Sequence, residues 1–184
     1  AIAEYLKGNP HEAEMSAEQA LARWEPVKYR DHIFAYGQEP GIVAMTMMAL
    51  ARGWLGRVDE ALTFADEAER CGREAGHPLT LAYAYAGDGV LYQLVGDVER
   101  VERTAEELIR VASEHTLPMW LAWGRILRGW ALLQRGETTD GLSETNSGLA
   151  AAEAVQFTVM MIHFLSQLAD LFGKLCRVHR DFRM

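Results

Sequence analysis

Histidine, cysteine and one glycine–lysine pair are the residues of this 184-residue chain that could carry chemistry, and their spacing withholds it. Gly173-Lys174 looks like the end of a phosphate-binding loop, but Leu175 stands where Ser or Thr would hold Mg²⁺, and no glycine occupies the required place upstream. The six histidines are His11, His32, His77, His115, His163 and His179, and none pairs with another at the one-turn spacing that holds a metal on a helix. Cys71 and Cys176 lie too far apart in sequence for a metal pattern and make no disulfide framework. No Gly-x-Ser-x-Gly elbow and no His-Glu-x-x-His run occurs. The sequence therefore predicts no catalytic residue, no cofactor and no metal, and a protein that is not an enzyme.

Composition narrows the remaining classes. Apolar residues make up 49%, enough for a continuous core and too much for disorder. Lys plus Arg is 18 against 26 Asp plus Glu, a formal charge of −8, which phosphate backbones repel, so nucleic-acid binding is not expected. No apolar run approaches the roughly 18 residues of a membrane span, and no basic segment precedes an apolar stretch at the N-terminus. Free thiols and the missing leader predict a cytoplasmic protein without membrane contact. Helix formers dominate, strand alternation is lacking, and the prolines Pro10, Pro26, Pro40, Pro78 and Pro118 all fall where loops end or helices begin. The expected class is all-α. Ala1 at one end and Asp181-Phe182-Arg183-Met184 at the other read as cuts in a longer protein.

A repeat positions whatever this chain carries. Gly56, Gly96 and Gly136 are each 40 residues apart, and Gly173 follows 37 later. Gly8, in Tyr5-Leu6-Lys7-Gly8-Asn9-Pro10, reads as an earlier copy. Pro78 and Pro118 keep the same period, with Leu79-Thr80-Leu81-Ala82-Tyr83-Ala84 aligned on Met119-Trp120-Leu121-Ala122-Trp123-Gly124. Glycine past a helix end takes the left-handed backbone and turns the chain back, and proline opens the next helix. The predicted helices are 11–23, 41–55, 58–75, 79–95, 98–115, 119–135, 138–153 and 156–172, with a truncated one after Gly173. They pair into units 1–38, 39–76, 77–116, 117–154 and 155–184 of a single repeat domain. Seven residues before each turn glycine the residue is small (Ala49, Gly89, Gly129, Ser166), and five after it come Ala61, Val101, Gly141 and Val178, a pattern that lets the first helix of a pair approach its partner closely.

The small columns around a turn glycine resemble the tetratricopeptide repeat, whose period is about 34 residues. A period of 40 implies roughly six extra residues per unit; period alone also suits HEAT-type repeats, but glycine and small columns favour the tetratricopeptide pattern. That resemblance implies a right-handed superhelix, an α-solenoid of antiparallel helix pairs. Three segments carry a narrower resemblance: Tyr36-Gly37-Gln38-Glu39-Pro40-Gly41, Gly76-His77-Pro78, and Trp-Leu-Ala-Trp-Gly-Arg-Ile-Leu-Arg-Gly-Trp-Ala-Leu from Trp120 to Leu132. They resemble the helical repeats near the C-terminus of large bacterial signalling proteins, in which a class III nucleotide cyclase or DNA-binding domain is joined to an ATPase module and then to repeats. The likeness spans roughly residues 20 to 173 and lapses after Gly173, where Lys174 to Arg180 look unlike an ordinary second helix. The cyclase's paired metal-binding aspartates have no counterpart here. The resemblance implies a sensory or scaffolding region.

In such a repeat the first helix of each pair lines the concave face. The tetratricopeptide pattern places lining positions 13, 10, 6 and 3 residues before the turn glycine. Those columns are Val43, Tyr83, Trp123 and Met160; Thr46, Ala86, Ile126 and His163; Leu50, Val90, Trp130 and Gln167; and Gly53, Gln93, Leu133 and Asp170. The face is aromatic and aliphatic with no lysine or arginine, so it suits an apolar helix or extended peptide rather than an acidic terminus. His163 reads as a polar groove residue, and His77 and His115 as inter-repeat loop residues. Trp123 and Trp130 are equally readable as core if the superhelix fills its own interior, and a third alternative is packing of the array on a second copy as a homodimer. Asp88 and Arg128, each eight residues before a turn glycine, are expected to form an ion pair between adjacent repeats. The functional expectation is a scaffold that binds a protein, a peptide or another domain of its parent chain; the alternative is a regulatory domain that senses a small molecule or peptide in its aromatic groove.

Overall fold

A computed structural model describes residues 1–25 and 38–155. Among them are eight helices and no strand: α1 (Ile2–Leu6), α2 (Pro10–Ala22), α3 (Pro40–Trp54), α4 (Val58–Ala75), α5 (Pro78–Val95), α6 (Val98–Glu114), α7 (Pro118–Gln134) and α8 (Thr138–Ala154). The predicted helix at 156–172, Gly173 and the segment after it lie outside the described residues, as do Met160, His163 and Gln167. α1 is not among the predicted helices; for the other seven the boundaries fall within one residue of those read from glycine and proline. Pro10, Pro40, Pro78 and Pro118 each occupy the first helical position, where a missing N–H costs no hydrogen bond. Gly8, Gly56, Gly96 and Gly136 all take positive φ, between 76° and 85°, and turn one helix into the next.

Each helix packs on the next in sequence, and the odd-numbered helices also touch one another: α1 on α3, α3 on α5, α5 on α7. This all-helical order is compatible with a helical repeat. Burial keeps the same period. The second helices α4, α6 and α8 bury Ala61, Val101 and Gly141 in one column, then Ala65, Ala105 and Thr145, then Ala68, Leu108 and Gly148, then Gly72, Ala112 and Ala152. These columns bury little bulk, and in α4 and α8 every buried residue is small. Volume comes from the odd helices, where α3 and α5 are buried on almost every side. Tyr85, Leu91 and Leu127 are fully buried there, and each of the two leucines contributes about 1.5–3 kcal/mol.

The small columns behave differently in successive repeats. A Cβ at Gly129 would lie 2.8 Å from the carbonyl oxygen of Gly141, so α7 and α8 meet backbone to backbone. At Gly89 the space is filled instead by Leu127 of the next odd helix, whose Cδ1 would lie 2.5 Å from an added Cβ. Two polar clusters fix the first repeats. Glu39 caps α3 by accepting from the Ile42 N–H at 2.9 Å and also accepts from Trp24 Nε1 at 2.6 Å, while its own N–H donates to Thr80 Oγ1. Glu14 on α2 receives Arg52 of α3 at 3.0 Å and Arg57 before α4. Burial pushes the Glu14 carboxyl up, but the two guanidinium groups outweigh it and hold it below the ordinary carboxylate value.

The turn between repeats offers a direct test. Gly76 ends α4 with φ 62°, and 40 residues later Thr116, a β-branched residue, sits at φ 54°. L-residues resist this conformation by about 1–2 kcal/mol, part of which glycine returns as entropy in the unfolded chain. Thr116→Gly is expected to stabilise the chain by about 0.5–1 kcal/mol in urea denaturation; a loss of stability would mean that the threonine side chain outweighs its backbone.

Candidate functional site

The odd-numbered helices do not close on one another completely. Between them lies a cavity of about 330 Å³. Its floor is α3 and α5: Thr46, Met47 and Leu50 on one helix, Ala86, Gly87 and Val90 on the other, all buried. Tyr83 and, on α7, Trp120 and Trp123 form an aromatic wall. The Trp120 and Trp123 rings stack at 5.7 Å with a 12° interplanar angle, and Tyr83 meets Trp120 edge-on at 5.9 Å. Ile2, Tyr5 and Leu6 of α1 and Met119 of α7 complete the lining, with Gln38 beside them. Ile2 and Leu6 are 42% and 47% exposed, so the cavity has an apolar mouth above a buried floor.

The lining polar groups are occupied or neutral. Thr46 Oγ1 donates to the Ile42 carbonyl at 3.0 Å, inside its own helix. Tyr5 Oη accepts from Trp54 Nε1 at 3.1 Å. Burial raises the Tyr5 phenol despite that bond, and it raises Tyr83 further, with the Tyr5 phenol adding to the shift. Both phenols stay protonated at neutral pH. Among the described residues nothing in the lining resembles a nucleophile with a base, and no three His, Cys, Asp or Glu side chains gather to hold a metal ion.

Of the expected groove residues, Tyr83, Val90 and Trp123 line this cavity, together with Thr46, Leu50 and Ala86 of the same columns. Gln93, Ile126 and Trp130 do not. Ile126 packs under α8, where a Cβ on Gly148 would lie 2.7 Å from its Cγ1. Trp130 is half-buried against the main core. Gln93 is buried, and neither atom of its side-chain amide finds a partner among the described residues. Along α7 the lining has moved toward the N-terminal end, to Met119, Trp120 and Trp123. The α1 residues were legible in principle: offsets of six and three applied to Gly8 give Ile2 and Tyr5. His77 caps α5, its ring nitrogen accepting from the Thr80 N–H at 3.4 Å, and burial lowers its basicity. His115 is exposed at the end of α6.

The expected Asp88–Arg128 pair does not form. Arg128 bonds Glu144 of α8 at 2.7 Å. Residues in one column of stacked helices point the same way, toward the second helices, rather than at each other. Asp88 takes the place that Met48 fills one repeat earlier and is only 1% exposed; neither carboxyl oxygen has a partner among the described residues. Burial pushes this carboxyl well above the usual carboxylate range, and Glu69 and Asp66 of α4 add to the shift.

Two outcomes follow from this pair of residues. In a double-mutant cycle Arg128 should couple to Glu144 by about 0.5–1 kcal/mol and to Asp88 by nothing measurable; coupling to Asp88 would contradict the geometry. Unfolded Asp titrates near 4, and the folded value is higher, so the Asp88 contribution to stability should fall as pH rises above about 4 and level off beyond the folded value. Asp88→Asn removes that charge and should be more stable by about 1–3 kcal/mol at pH 7, with the gap closing below pH 4. Urea denaturation at the two pH values reads the difference, and equal stability at pH 7 would show that the buried carboxyl is satisfied.

No protein-family profile, curated protein or solved structure matches the chain, so the apolar cavity between its odd-numbered helices is what a functional reading rests on.

Proposed function

We propose that this chain is a non-enzymatic helical-repeat module that works by binding, wound as a right-handed tetratricopeptide-like superhelix and belonging to a bacterial signalling protein of the cyclase, ATPase or transcriptional-regulator type. The repeat part of the reading is supported by the 40-residue columns of small buried residues and the contacts running from odd helix to odd helix. The recognition part rests on one observation: the first helices of four successive pairs converge on an aromatic and aliphatic cavity whose mouth is exposed. Exposed apolar side chains around a concave opening are where partners anchor. The partner in this reading is a protein, a peptide or another domain of the parent chain, and the setting is cytoplasmic. A homodimer joined through the ends of the array is part of the same class. The depth of the cavity favours a second reading, in which the module senses a small molecule.

The mouth residues allow the test. A photo-crosslinking amino acid at Met119 in cells is expected to capture a defined protein or a defined segment of the parent. Capture should vanish when Leu6→Glu is added and be absent from the same amino acid at Arg103, on the exposed side of α6, while helicity and melting temperature stay unchanged. Equal capture from both positions, or none from either, removes the protein-binding reading. A fixed extra mass on the freshly purified chain in native mass spectrometry selects the small-molecule reading instead.

A further inference from the structure

We infer that the cavity between α1, α3, α5 and α7 takes an uncharged, hydrocarbon-rich small molecule of about a dozen heavy atoms. This assignment rests on the concave face being a recognition surface, and it names the occupant. Size sets the first limit. A dry cavity of about 150 Å³ holds one benzene ring. At about 330 Å³, this one has room for roughly twice as many carbons, a fused bicycle or a medium alkyl chain.

Wall chemistry sets the second limit. Among the described residues no lining side chain is charged. A carboxylate, phosphate or ammonium entering here would lose its water and find no counter-ion among them. The Thr46 hydroxyl is already donated to its own helix, and the Tyr5 oxygen already accepts from Trp54. An extended peptide backbone is poorly matched to the floor. It would bring one N–H and one C=O per residue, while the floor residues belong to α3 and α5, whose mid-helix backbone groups are paired within each helix. What the walls do offer is carbon and π-surface. The stacked Trp120–Trp123 pair gives a flat face, and Met47 and Met119 are unbranched thioethers that adapt to the shape of a ring. The exposed Ile2 and Leu6 at the mouth give an apolar ligand an entrance that it need not cross as a polar barrier.

The test uses the purified chain with two matched probes, naphthalene and 2-naphthoate, which share a ring system and differ by one negative charge. Naphthalene is expected to bind saturably, raising the melting temperature and changing tryptophan fluorescence, with 2-naphthoate at least tenfold weaker. Val90→Phe puts a ring into the floor and should abolish the naphthalene response while keeping wild-type helicity; Ala86→Leu does the same with less bulk, should the first variant fold poorly. Equal binding of the two probes, an undiminished naphthalene response in a folded floor variant, or no response to naphthalene in the wild type each overturns the assignment. If naphthalene fails while the Met119 crosslink still captures a defined partner, the ligand assignment falls and the recognition surface stands; if both fail, both fall.

Discussion

Small residues along the inward stripes of α4 and α8 are the constraint from which the rest of the structure follows. In α8 the stripe that faces inward is Gly141, Thr145, Gly148 and Ala152, and in α4 it is Ala61, Ala65, Ala68 and Gly72. With so little bulk at these positions, the interior must be filled from the other side. The odd helices supply it: Ile42, Met48, Tyr85, Leu91, Trp120 and Leu127 are all buried, and α3 and α5 are buried on almost every side. A helix buried all round cannot interdigitate perfectly with three neighbours at once. The gap left over lies where the odd helices face one another, and it is apolar because they are. The cavity is thus a product of the packing rule rather than an addition to it.

Polar groups that enter this interior are either tied or strained. Glu39 is the tied case: its two carboxyl oxygens take the Trp24 indole and the α3 N-terminus, and its N–H reaches the Thr80 hydroxyl at the start of α5. One buried acid therefore joins the end of α2 to the starts of two odd helices, with the Trp24 ring lying directly over Gly41, where a Cβ would meet it at 2.2 Å. Asp88 is the strained case, a carboxyl in a methionine's place with acidic neighbours on α4 and no donor among the described residues. The same column can hold Met48, Asp88 and Arg128 because its surroundings change from repeat to repeat, from core to the Glu144 side chain at the edge.

Much of the architecture was legible because it is written in backbone requirements. Glycine at Gly56, Gly96 and Gly136 admits the positive φ that a turn requires, and proline at Pro78 and Pro118 fixes φ at a helix start, so their period located the turns and helix starts directly. The cavity was only half legible. Tyr83, Val90 and Trp123 came from fixed offsets, but those offsets assume that each odd helix is rotated alike about its own axis. In α7 the lining moves toward Trp120, and Ile126 turns under Gly148 instead. Rotation of one helix against the next depends on side-chain volumes at several interfaces together, and no one-dimensional period records it. The Asp88–Arg128 expectation failed for a related reason: spacing along a column measures distance between helices and says nothing of direction.

The glycine contact between α7 and α8 has a mechanical meaning. Two backbones already touching cannot be pushed closer, so the line through Gly129 and Gly141 acts as a fulcrum. On the opposite side of α7 the odd helices are separated by side chains and open space, which can give. A change of volume between Val90 and Trp123 would therefore be taken up as a change in the angle between α5 and α7 more readily than at the α7–α8 contact.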